Sequence, residues 1–186
     1  TLRLWFSGIP QPGVNQYNTP GSLTSAIAVG MFFHEKRMEP MQVGELAAQI
    51  VSLTHGDPHA FLSAAVLAYG ITGILNEPSL PLADQFRSAI SVMFHQFRER
   101  YPEAKTVAAT LSAALERAQG AEPMDEVMED LNCYSAMDCL AGAIYAALAN
   151  ETDFDTAMIT AVNHSGYSSA VASVTGAILG AKMGDS

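Results

Sequence analysis

Residues 53–71 read LTHGDPHAFLSAAVLAYGI, and their order decides how the rest of the chain can fold. Asp57 followed by Pro58 marks a helix start. A short carboxylate accepts from first-turn N–H groups, and proline fits the first helical position. From there to about Leu75, the residues Phe61, Leu62, Ala65, Val66, Ala68 and Tyr69 leave few polar positions on any face. A helix apolar on most faces must be surrounded by other elements, so this one is expected at the centre.

Helical spacing continues on both sides of it. Leu23, Ile27, Met31 and His34 place a helix over about 22–37, and a second over about 41–55 stops at Gly56, read as a left-handed cap. Further helices are expected over 81–100 and 103–119, separated by Tyr101-Pro102, and a short acidic one lies within GAEPMDEVMEDLN (120–132). Ser135 and Asp138 form a capping-box pattern ahead of AMDCLAGAIYAAL. Asp153 or Thr152 caps a helix over 154–164, and the last covers 167–183. No run alternates as a strand does. The expected fold is all-α: a compact single-domain bundle of eight or nine helices over 22–186. Residues 1–21 form an irregular arm, because Pro10, Pro12, Gly13, Pro20 and Gly21 interrupt it. Glycine inside a helix costs up to about 1 kcal/mol against alanine. The recurrence of Gly70, Gly73, Gly142, Gly176 and Gly180 therefore suggests close helix approach, with helices 135–149 and 167–183 innermost.

Apolar residues make up 49% of the 186 and charged residues 15%, which is a globular composition. A net charge of −10, with nine scattered Lys and Arg, argues against nucleic acid or an anionic membrane surface as partner. Cys133 and Cys139 are read as reduced core residues of a cytoplasmic protein, not as a disulfide or a metal pair. No segment is expected to span a bilayer, and TLRLWFSGIPQPG (1–13) lacks the pattern of a signal peptide.

The stretch NHSGYSSAVASVTGAILGA (163–181) carries the functional question. A polar, glycine-bearing loop opens into a small-residue helix, a junction whose free N–H groups suit an anion, a metal or a nucleotide. Yet no carboxylate lies between Asn163 and Ala181.

Three stretches together resemble the ADP-ribosylglycohydrolase family: LTHGDPHAFLSAAVLAYGI (53–71), NTPGSLTSAIAVGMFF (18–33), and residues 139–184 from CLAGAIYAAL to AKMG. The resemblance implies an all-α fold and cleavage of the bond between ADP-ribose and an acceptor side chain. It also implies two divalent cations, Mg²⁺ or Mn²⁺, held by aspartates of two early motifs and of a late Gly-Gly-Asp-x-Asp-Ser/Thr loop. By the resemblance, the sequence is expected to begin well after the family's usual start and so to lack both early acidic motifs, and no Asp-Asp pair occurs in it. In the late loop Asn163, His164 and Gly166 match, but Ser165 replaces a glycine, and Tyr167 and Ser169 stand where aspartates are expected. Ala170 and Val171 replace hydroxyls. Ser25 and Ala28 stand where the family often has Arg and Pro.

A hard dication needs charged oxygen ligands, so these replacements are expected to remove the metal site and the hydrolysis that depends on it. No cofactor is expected. The resulting expectation is an ADP-ribosylglycohydrolase-like structural, interaction or weak nucleotide-binding domain without hydrolase activity. A degenerate member, a lens crystallin, is known in the family. The alternative is a true hydrolase whose site is completed by another chain or by further sequence. A remnant cleft for an ADP-ribose-like molecule is assigned to Asn18, Gly21, Ser22, Asn163, His164, Gly166, Ser168 and Ser169.

Other candidates read as structural. Asp57, Asp153 and Asp155 suit helix starts, Ser168 and Ser169 suit a cap, and Glu126, Glu129 and Asp130 suit a solvated face. His55 and His59 are split by Gly56-Asp57-Pro58, His34 and His95 suit helix surfaces or satisfied core positions, and His164 suits hydrogen bonding to its own loop. An uncovered apolar face, partly met by Trp5, Phe6 and Ile9, leads to the expectation of a homo-oligomer.

Overall fold

A computed structural model of the chain describes residues 15–184, and among these every regular element is a helix. In chain order they are α1 Gly21–Glu35, α2 Pro40–Ser52, α3 Pro58–Asn76, α4 Leu82–Phe97, α5 Ala104–Arg117, α6 Met124–Asp130, α7 Ala136–Ala149, α8 Phe154–Val162 and α9 Ser168–Met183. The arm's first fourteen positions, with Trp5, Phe6 and Ile9, lie outside the described residues.

Helix α3 is the axis, as its composition requires. Asp57 caps it by accepting from His59 N–H, Pro58 is its first residue, and fourteen of its nineteen residues are buried. It packs against α1, α2, α4, α5, α7 and α9. By length and apolarity alone α3 could cross a membrane, contrary to the expectation that no segment would, but its surface is mostly buried inside the bundle. Fully burying a side chain such as Leu67, Ile71 or Ile74 is worth about 1.5–3 kcal/mol, which is the use this apolar helix has here.

Close approach is set by small residues. A Cβ on Gly30 would stand 3.1 Å from the Ala68 carbonyl oxygen, and one on Gly44 would stand 3.0 Å from the Ala65 carbonyl oxygen. These contacts let α1 and α2 lie against α3. Thr72 ties the first pair together, its buried hydroxyl donating to Ala68 O at 2.9 Å with Gly30 O at 3.2 Å.

Two sequence expectations are corrected. Helix α2 ends at Ser52, and Gly56 does not adopt a left-handed conformation; its N–H instead donates to Asn15 Oδ1 at 2.8 Å. Helix α7 is innermost, but α9 is not. A Cβ on Gly142 would meet Cys133 Sγ at 2.6 Å, whereas one on Gly176 meets only Met158 Sδ at 3.8 Å and one on Gly180 meets nothing within 4 Å. Helix α9 buries one face, on Val171, Val174, Thr175, Ile178 and Leu179, and leaves the other toward solvent. Its glycines reflect thin packing at that face rather than close packing.

Candidate functional site

The remnant-cleft residues fall into two groups, and hydrogen bonds place both at one pole of the bundle. Thr19 Oγ1 meets His55 Nε2 at 3.0 Å, joining the start of α1 to that of α3. Asn18 O accepts from Ala136 N–H at 3.1 Å, joining α1 to α7. Cys133 O accepts from Tyr167 N–H at 2.8 Å, joining the turn before α7 to the start of α9. Four helix N-termini therefore gather here, each presenting N–H groups and positive potential.

Two of these starts are closed by side chains. Asp57 caps α3, and Ser135 caps α7 by accepting from Asp138 N–H at 3.1 Å while its hydroxyl donates to Asp138 Oδ2 at 2.7 Å. The starts of α1 and α9, where Pro20 and Tyr167 hold the cap positions, have no side-chain cap. Those are the ends the sequence singled out.

Not every predicted residue faces a common opening. Ser22 is fully buried and donates to Thr19 O at 3.1 Å, and Gly21 begins α1 beside His55. Asn18 presents a buried Oδ1 with no hydrogen-bond partner among the described residues. On the other side, Asn163 follows α8, Ser168 Oγ donates to His164 O at 3.2 Å, and Ser169 is exposed. The turn 131–136 stands between the groups.

That turn explains Gly166. Asn132 and Cys133 both hold positive φ, 65° and 48°, a conformation side chains rarely adopt. Gly166 presses onto it so closely that a Cβ would stand 2.7 Å from Asn132 O. Cys139 Sγ donates to Cys133 O at 3.1 Å. Both thiols are buried and free, as the sequence suggested, and burial is the main cause that pushes each to a pKa of about 12.

Two of the three imidazoles here, His164 and His55, have both ring nitrogens in hydrogen bonds. His164 Nδ1 accepts from Gly166 N–H at 3.0 Å and Nε2 lies 3.1 Å from Ala161 O, so the ring carries its proton on Nε2 and keeps no nitrogen for a substrate. His55 uses both nitrogens on Thr19 and Thr54, and burial lowers its pKa. His59 Nδ1 lies 2.9 Å from Asp57 Oδ1.

Sequence reasoning missed two contributors. Glu129, read as solvated, accepts at Oε1 from Ser165 N–H at 2.9 Å and from Ser165 Oγ at 3.0 Å. Tyr134 Oη donates to Ser165 O at 2.6 Å, and its ring meets that of Tyr167 edge to face at 5.8 Å. Both contacts span more than thirty positions, so no local pattern announces them. Asp130 is also engaged, by Arg117 at 3.1 Å.

The donor set decides which ions the pole can hold. A pair of divalent cations needs several carboxylates converging on one spot. Here Tyr167 and Ser169 supply a phenol and a hydroxyl, while Glu129, Asp138 and Asp57 are turned to Ser165, Ser135 and His59. Among the described residues no three of His, Cys, Asp and Glu gather as a metal site. These residues do not fit a dinuclear centre.

A comparison with protein-family models matches residues 2–186 to one described as ADP-ribosylglycohydrolase. No curated protein and no solved structure matches the chain.

Proposed function

Since the chain belongs to the ADP-ribosylglycohydrolase family, we propose that it is a member that binds through the old site without hydrolysing there. Its ligand class is an ADP-ribose-like molecule, whose phosphates suit the uncapped starts of α1 and α9. No metal cofactor takes part. The single observation carrying this reading is the late loop, where Tyr167 and Ser169 offer a phenol and a hydroxyl at the positions to which the resemblance assigns carboxylates, beside Asn163, His164 and Gly166. Without a metal, water activation falls to a base, and His164 and His55 already have both ring nitrogens in hydrogen bonds.

Two buried free thiols fit a reducing, cytoplasmic setting. The exposed apolar face of α8, with Phe154, Ile159 and Val162, favours self-association of a chain that otherwise carries −10. A sedimentation profile of a clean monomer at tens of micromolar removes that part of the reading.

The test is titration calorimetry with ADP-ribose, with and without Mg²⁺ or Mn²⁺, beside release of ADP-ribose from modified arginine. The expected result is binding heat independent of metal and no turnover. Metal-dependent turnover overturns the proposal and favours a hydrolase completed by a further chain. No heat with ADP-ribose leaves a structural or interaction role.

A further inference from the structure

We propose that Glu129 and Tyr134 are positioning residues that fix the loop of residues 163–169 and, through it, the direction in which α9 presents its first turn; for ligand binding this rests on the reading above. All three polar groups of Ser165 are taken. Its N–H and hydroxyl both go to Glu129 Oε1, and its carbonyl oxygen accepts from Tyr134 Oη. One residue further on, Gly166 is pressed onto the Asn132–Cys133 turn, and the next N–H, from Tyr167, is bound by Cys133 O. The loop is thus anchored on its inner side by packing and on its outer side by two long side chains.

The outer anchors bury little. Glu129, Tyr134 and Ser165 are all exposed, so their contacts add little to the stability of the whole bundle. What they restrict is local. With Ser165 held, Tyr167 is kept edge to face with Tyr134, and α9 starts from a fixed point although it has no side-chain cap. A carboxylate suits this task because one oxygen accepts from both Ser165 donors, something a glycine at that position could use only in part. Ser165 and Glu129 thereby form a support for the loop ahead of α9.

The experiment is hydrogen exchange of the ligand-free chain, followed by calorimetry with ADP-ribose. Glu129→Ala and Tyr134→Phe are each expected to speed exchange at residues 165–169 by about tenfold while exchange in α3 and α7 stays unchanged. Glu129→Gln keeps an accepting oxygen and is expected to stay within about threefold of the parent. ADP-ribose affinity is expected to fall about five- to tenfold in Glu129→Ala and to recover in Glu129→Gln. Unchanged loop exchange in Glu129→Ala, or a Gln variant as loose as the Ala variant, overturns the positioning role. Absence of ADP-ribose binding in the parent chain overturns the binding reading instead, and the exchange result still decides the positioning role.

Discussion

A Cβ placed on Gly166 would stand 2.6 Å from the carbonyl oxygen of Cys133, closer than carbon and oxygen can approach without displacement. This contact joins the loop before α9 to the turn before α7, and that turn already carries two residues in the left-handed region. Neither segment can shift without disturbing the other.

Gly166→Ala is therefore expected to destabilise the chain by about 2–4 kcal/mol, because backbone must move on both sides. Gly180→Ala is the contrast: its Cβ meets nothing within 4 Å, so helix propensity alone acts and stability rises by up to about 1 kcal/mol. Urea denaturation of the two variants checks both signs. Equal effects would mean that the Gly166 contact is not tight in solution.

Arg37 follows α1 in a left-handed conformation at φ 55°, with its N–H on His34 O at 2.8 Å and Met38 N–H on Phe33 O at 3.2 Å. This is the Schellman arrangement, whose left-handed position suits glycine. Arg37→Gly is expected to stabilise by about 1 kcal/mol, read as a raised denaturation midpoint. A loss of stability would show that the Arg37 side chain makes a contribution larger than the relieved strain.

Cys133 and Cys139 are both buried, with pKa values pushed up to about 12. At pH 8 neither supplies thiolate, so a thiol-specific reagent should leave the native chain unmodified and label both residues once denaturant is added. Rapid labelling of the folded chain at either residue contradicts this packing.

His55 has its pKa lowered by burial. The unfolded chain takes up that proton below about pH 6.5, whereas the folded chain resists it. Stability is complete above that pH and is lost as pH falls toward the folded value. Thermal melts from pH 7.5 to 5 should show this decline, and His55→Gln should flatten it. An identical pH profile in the variant would assign the decline to other groups.

The helical architecture was legible because its signals are local. Asp57-Pro58, Ser135 with Asp138, and Asp153 all cap helices as their spacing indicates, since a cap bonds an N–H two or three residues away. Failures arose where the partner lies far along the chain. Gly56 read as a cap because it follows a helix pattern, yet Asn15 takes its N–H. Glu129 read as solvated because its helix is acidic, yet Ser165 comes to it from thirty-six positions away.

Reading along the chain is enough to establish that it is all-α, that α3 lies at its centre, and that the loop at residues 163–169 lacks carboxylates. Composition, periodicity and capping chemistry are properties of neighbouring residues, and they need no knowledge of the whole. It takes the packed helices to bring the starts of α1, α3, α7 and α9 to one pole, to leave one face of α9 in solvent, and to set Glu129 and Tyr134 on Ser165. Such contacts depend on how helices are packed, and packing is settled by the mutual fit of surfaces distant in sequence.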